Sequence, residues 1–263
     1  MKSNGMKSLV LLGAIFLGIV PLSGCGHYTT QRTSNLLTYL NPGETQSAEV
    51  SRDISKTSLP HIPVPITLGI AFVPESRTVT GRGDSKIEPL TEKVKMEMMR
   101  ELTAQLRQYS FFAEIEEIPS TYLKVGGSFA NLDQIHTMTG VDVIGLVSYD
   151  QVQFTDRGLV SLLYWTGIGW YFVPGEKNDT NTMIDAALYH LPTRKPVLRA
   201  TGQSGVYHYS TPMNQSQNLR DDSEQGFKEA LHMLAANFKE QLDLLKPKLI
   251  QAAAGSQSAG SGK

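Results

Sequence analysis

Val141-Asp142-Val143-Ile144-Gly145-Leu146-Val147-Ser148-Tyr149 is the stretch whose reading decides the fold. It is apolar at both parities, so a strand built from it can turn neither face to water. Such a strand belongs in the middle of a sheet with a layer on each side. It continues towards Phe154. Upstream, Ile66 to Val73 (ITLGIAFV) is a second nearly all-apolar run between prolines, which predicts a buried strand. Pro74 to Ile87 reads as a loop. Pro89 suits the first turn of a helix, and Leu90, Val94, Met98, Leu102, Leu106 and Tyr109 then recur at helical spacing. Phe111 to Ile118 predicts another strand, stopped by Pro119. Asn131 can cap a short helix through Met138, and Gly140 can end it.

Downstream, Thr182 to Leu191 and Val197 to Tyr209 read as two strands joined by Pro192-Thr193-Arg194-Lys195-Pro196. Phe227, Leu231, Leu234, Phe238, Leu242 and Leu245 form the apolar stripe of a long helix that Pro247 should end or kink. The order is β-α-β-α-β, an apolar insertion, β-β and a helix. It predicts an α/β (α+β) fold: one sandwich domain over residues 65–250, with a mixed sheet, amphipathic helices and a long C-terminal helix. Residues 251–263 (QAAAGSQSAGSGK) read as a flexible tail, and no internal repeat is present.

Ahead of this domain, Lys2 and Lys7 precede the apolar run Leu9 to Val20, which closes on Leu22-Ser23-Gly24-Cys25. These parts stand in the order of a bacterial lipoprotein signal: a basic start, an apolar stretch, then small residues before a cysteine. Residues 1–24 are therefore expected to be a signal peptide, and Cys25, the one cysteine of the chain, a lipidation site. Removing residues 1–24, which carry two lysines and no acid, shortens the chain from 263 to 239 residues and takes its formal net charge from −1 to −3. Two or three acyl chains on Cys25, at about 0.8 kcal/mol per buried methylene, would hold the protein effectively permanently. Gly26 rather than an aspartate follows Cys25; by resemblance to the sorting of Gram-negative lipoproteins this implies the outer membrane, facing periplasm or exterior, as the expected location. Residues 25–64 read as a lipidated tether, stiffened by Pro60, Pro63 and Pro65. Within it Leu36, Leu37, Tyr39 and Leu40 form a cluster that can dock on the domain or on a partner, and Asn41-Pro42-Gly43 stops it.

Signals for chemistry are absent. A near-neutral surface without a lysine or arginine stripe gives no reason to expect nucleic acid. The six histidines (27, 61, 136, 190, 208 and 232) show no metal-ligand spacing and no HExxH occurs. Gly202-Gln203-Ser204-Gly205 is one residue short of a nucleophile elbow and lies within a strand. Gly126-Gly127 lacks the rest of a phosphate loop. A cell-wall hydrolase needs two carboxylates in a cleft; Asp142 and Asp150 share a face of the central strand by parity, while Asp156 falls beyond its expected end. Each is better read as solvated or capping at a strand end. Arg82-Gly83-Asp84-Ser85 is read as a chance tripeptide in a glycine-rich turn, and Asp221 and Asp222 as first-turn acids of a helix. No cofactor or metal is expected.

Gly158 to Val173 (GLVSLLYWTGIGWYFV) is uncharged and holds both tryptophans of the chain. Pro174-Gly175-Glu176-Lys177-Asn178-Asp179 reads as the polar turn that ends it. It is too short and too glycine-rich for a membrane-spanning helix. Two readings stay open: a strand or hairpin of the core, or an exposed patch for a protein partner or the membrane interface. The expected patch is Trp165, Ile168, Trp170 and Tyr171, where Gly167 and Gly169 let the backbone bend.

Several of these stretches together resemble the rhombotarget lipoproteins: the run to Cys25, Ser34-Asn35-Leu36-Leu37-Thr38-Tyr39-Leu40-Asn41-Pro42, Gly69-Ile70-Ala71-Phe72-Val73-Pro74, Tyr164-Trp165, and Val173-Pro174-Gly175-Glu176-Lys177-Asn178-Asp179-Thr180. Asp185-Ala186-Ala187, Arg199-Ala200 and Gly202 continue the likeness. The resemblance implies a Gram-negative envelope lipoprotein associated with a rhomboid-type sorting protease and without an assigned enzymatic activity. More loosely, the element order is similar to periplasmic lipoprotein domains of the curli-secretion type. The expected function is therefore non-enzymatic: membrane attachment through Cys25 and association with an envelope protein or a second copy. The rival is a periplasmic hydrolase of cell-wall material, which would bring Asp142, Asp150 and a histidine into one cleft.

Overall fold

A computed structural model describes residues 27–42, 60, 62–80, 90–157, 176–210 and 214–260. Its centre is β5, Val143–Arg157, a strand of 15 residues. One edge of β5 pairs antiparallel along its full length with β6 (Glu176–His190), and β6 pairs with β7 (Lys195–Ser210). The other edge is divided. Val143 to Val147 run parallel to β2 (Ile66–Phe72), whereas Tyr149 to Asp156 run antiparallel to β1 (His27–Ser34). Outside β2 lies β4 (Phe112–Ile118), parallel, and outside β1 lies β3 (Glu75–Thr80), antiparallel. The chain thus leaves β2, steps one position outward at Pro74, and leaves a gap that β1 fills. The result is a mixed seven-stranded sheet.

Alternation along β5 assigns the two layers. Val143, Val147 and Tyr149 face a core shared with α2 (Glu92–Leu106) and the long α4 (Gln215–Gly260). Ile144 and Leu146 face a second core built with α1 (Leu36–Leu40) and α3 (Ser128–Thr139). The stripe expected on the last helix is the one used: Phe227, Leu231, Leu234, Phe238, Leu242 and Leu245 are all buried. At about 1.5–3 kcal/mol for each fully buried large apolar side chain, this seam is a main support of the fold. Gly202 makes it possible, because α4 passes directly over its Cα.

Several expectations are corrected. The tether over 25–64 does not hold for residues 27–41, since β1 is an inner strand and α1 caps the second core. The cluster Leu36, Tyr39 and Leu40 docks on its own domain, where the Tyr39 hydroxyl donates to Asn131 Oδ1 at 3.0 Å. The loop expected over 74–87 contains β3. Asn131 is not a cap; α3 starts at Ser128, and Asn131 Oδ1 also accepts from the Lys124 backbone N–H. Gly140 does end α3, in the left-handed conformation at φ 73°. Glu176 to Asp179 belong to β6 rather than to a turn. The helix runs through Pro247 to Gly260, across residues expected as a tail. Ala252, Ala253 and Ala254 are strong helix formers, a property that composition alone concealed.

Candidate functional site

Beyond Val147 the side of β5 opposite α4 emerges from under α3 and α1. Ser148 and Asp150 form the floor of an open cleft of about 210 Å³. Thr33 to Leu37 wall it on one side; Met183, Asp185, Tyr189, Arg199 and Thr201 wall it on the other. Alternation places these residues: odd positions of β6 and β7 share a face with even positions of β5. Gln31 Nε2 donates to Asp150 Oδ1 at 2.8 Å. Arg199 Nε donates to Asp185 Oδ1, also at 2.8 Å. This bond holds the Arg199 guanidinium still more firmly in its charged form, and burial raises the Tyr189 phenol above its ordinary value. At neutral pH the cleft therefore presents a cation paired with a buried carboxylate, a second carboxylate bonded to an amide, and a neutral phenol. Such a combination can form hydrogen bonds and ion pairs with polar groups.

The opposite side of the same strands is polar too, but closed. Gln151, Gln153 and Thr155 are buried beneath the N-terminal turns of α4. Gln151 Nε2 donates to Thr182 Oγ1 (2.8 Å) and Ser223 O (3.1 Å), and Gln153 Nε2 to Leu219 O (2.8 Å). Asn178 Nδ2 and Asn218 Nδ2 both donate to Ser210 Oγ. Each buried amide thus finds a partner, as burial demands. Asp222 lies here, buried and bonded to His208 Nδ1, and not in a first helical turn. A carboxylate orienting an imidazole is one half of a catalytic triad. Among the described residues no serine, threonine or cysteine side chain is bonded to His208.

The carboxylate pair read from the sequence is not a pair. Asp142 precedes β5 and Asp150 lies eight residues on, roughly 27 Å apart at about 3.3 Å per residue. Asp142 has histidine company instead. His190, whose Nδ1 lies 2.8 Å from Thr193 Oγ1, is lowered below its ordinary pKa by burial first and then by nearby His136, while Asp142 pulls it upward. A histidine lowered in the fold stays neutral there while the unfolded chain takes up a proton. Its contribution is present above the ordinary value near 6.5 and is lost as pH falls below it. The urea midpoint should accordingly drop between about pH 7 and 5, and His190→Asn should flatten part of that drop. An unchanged slope in the variant would refute the assignment.

The remaining sequence-derived site residues, Cys25, Trp165, Ile168, Trp170 and Tyr171, and the tripeptide at 82–84, lie outside the described residues. Sequence reading missed a set of exposed apolar side chains on the open face: Phe154 (44%), Met183 (41%), Tyr207 (60%) and Tyr209 (71%). Among the described residues no cluster of three metal-ligating side chains occurs, and no helix is long and apolar enough to cross a membrane. Comparison with protein-family models and with curated proteins finds no match for this chain.

Proposed function

We propose that this chain is an envelope lipoprotein, acylated at Cys25, held at the outer membrane, and working by binding rather than by catalysis. The open sheet face is its contact surface, and the cleft of Asp150, Asp185, Arg199, Tyr189 and Met183 is the centre of that surface. The observation that carries the reading is this cleft's composition. It places an ion pair and a second carboxylate beside an exposed methionine in a shallow, accessible hollow, the mixture of polar anchor and apolar contact found in protein interfaces. Stretches quoted for the likeness to rhombotarget lipoproteins meet there, namely 34–37, Asp185 and Arg199. This supports an association with a rhomboid-type sorting system, with an envelope protein or a second copy as the bound partner.

Placing a photocrosslinking residue at Met183 in intact cells tests the proposal. A discrete adduct should form, and Arg199→Ala should weaken the underlying binding by about thirtyfold or more, since removing one partner of a hydrogen-bonded charge pair costs about 2–5 kcal/mol of binding where the pair is buried by the partner. Absence of any adduct would contradict the binding role. Turnover of a muropeptide or ester substrate that disappears in Asp150→Asn would establish the hydrolase instead.

A further inference from the structure

We infer that the C-terminal half of β7 is a self-association edge, pairing antiparallel with the same stretch of a second copy about a two-fold axis at Tyr207. The inference goes beyond the cleft and depends neither on the acylation of Cys25 nor on what the cleft binds. β7 is the last strand on its side of the sheet and pairs with β6 alone. Backbone groups of successive residues point to alternate edges of a strand. Thr201 O accepts from Asn237 Nδ2 at 2.7 Å, and the Gln203 N–H donates to Met233 Sδ at 3.4 Å. The odd-numbered residues in this part of β7 therefore turn their N–H and C=O groups outward, away from β6.

α4 covers only part of that edge, because it crosses the sheet obliquely. Near its start it lies over β5 and β6. There Leu219 O and Ser223 O accept from Gln153 and Gln151, and Gly226 lies against Thr182. By Ala230 to Leu234 it has reached Gly202 of β7, and Met233 and Asn237 overhang the outer edge. Earlier on the same flank of α4, Gln225 Nε2 donates to Glu229 Oε1 at 2.8 Å, so these two side chains bond each other. Gly205, Tyr207 and Tyr209 are the outward positions that remain, and all three are exposed. Among the described residues nothing bonds their outward backbone groups. A bare edge of this kind is a template for another strand.

The stretch is complementary to itself. A two-fold axis that maps three outward positions onto one another passes through the middle one. Tyr207 then faces Tyr207 of the second copy, Tyr209 faces Gly205, and each facing pair exchanges both backbone hydrogen bonds. Gly205 has room for the ring: the nearest atoms to a Cβ built there are 3.4 Å away, one of them the Tyr207 hydroxyl. Tyr209 of one copy thus lands over Gly205 of the other, beside the Tyr207 ring that already leans across it. An aromatic ring set cross-strand over an edge glycine stabilises such a pairing. On the opposite face His208 meets Val206 and Ser204 meets Ser210, so no like charges are brought together. This register selects a second copy over an unrelated strand, because one short stretch supplies both the glycine and the ring that fills it.

Tyr207→Cys tests the register. Facing residues of such a pair lie about 5.5 Å apart at Cα, within reach of a disulfide. Position 209 faces 205 instead, and its own counterpart lies four residues along the strand, roughly 14 Å away. Mild oxidation of intact cells should convert most of the Tyr207→Cys chain to a disulfide-linked band of twice the chain's mass. Tyr209→Cys should stay at the level of the wild type, which carries Cys25 alone. Tyr207→Pro is the second variant. The N–H it removes faces outward, so its urea midpoint should stay close to that of the wild type. In sedimentation the wild-type chain should shift from monomer to dimer with concentration, and Tyr207→Pro should remain monomeric. The cysteine comparison stands even where the proline variant fails to fold. Equal linkage at 207 and 209, no linkage at either, or a linked band of any other mass overturns the inference. So does a wild type that stays monomeric, or a folded Tyr207→Pro that dimerises like it.

Discussion

Gly202→Ala should cost the domain about 3 kcal/mol or more, lowering the urea midpoint sharply with little change in slope. Gly202 sits in β7 where α4 crosses the sheet. A Cβ built there overlaps Ala230 O and Leu234 N and stands 2.9 Å from Leu234 Cα. These are backbone atoms within a helix and cannot swing aside as a side-chain end can. To admit one methyl group α4 would have to lift, which would loosen Leu231, Leu234 and Phe227 from the core at the same time. Gly205, three residues on in the same strand, is the control. The nearest atoms to a Cβ there are 3.4 Å away, so Gly205→Ala should be neutral or stabilise by up to about 1 kcal/mol through reduced freedom of the unfolded chain. Equal effects at both positions would contradict the packing described.

Cys25→Ala should remove essentially all of the protein from the membrane fraction, or leave a precursor that still carries residues 1–24. One acyl chain binds a membrane marginally and two bind it durably, so losing the thiol that carries them changes the partition by orders of magnitude. Among the described residues no helix is long and apolar enough to cross a membrane. Labelled palmitate should enter the wild-type chain and not the variant. A variant that fractionates and labels like the wild type would remove the anchor from the account.

The central strand and its parallel neighbour were legible in the sequence because both are buried on two faces and so consist of unbroken apolar runs. The helices α2 and α4 were legible from spacing alone. Strands β1 (HYTTQRTS) and β3 (ESRTVT) were not. They are rich in threonine and lack apolar alternation: β1 pairs with the outer half of β5, whose own inward residues are Gln151, Gln153 and Thr155, and β3 pairs with β1. A polar core produces polar strands. The first residues of β6 read as a turn for the same reason: Asn178 and Thr180 are buried, but bonded to amides and hydroxyls rather than packed among aliphatic side chains.

The cleft was only half legible. Parity points to Asp150, yet joins it with Asp142, which lies at the far end of the strand. Asp185 and Arg199 entered through a family likeness rather than as a pair. Their pairing was accessible by counting, because once β6 and β7 are read as a hairpin, odd positions of both strands share a face. Register was the missing quantity, and the boundaries 182–191 and 197–209 left it undetermined.

The whole account turns on what is attached to Cys25. Mass analysis of the N-terminal peptide of the protein recovered from the envelope is the most direct test. The account predicts a peptide that begins at Cys25 and carries a diacylglyceryl thioether, with or without a further acyl group on its amine. A peptide that retains residues before Cys25, or one that begins there with a free thiol, would contradict it.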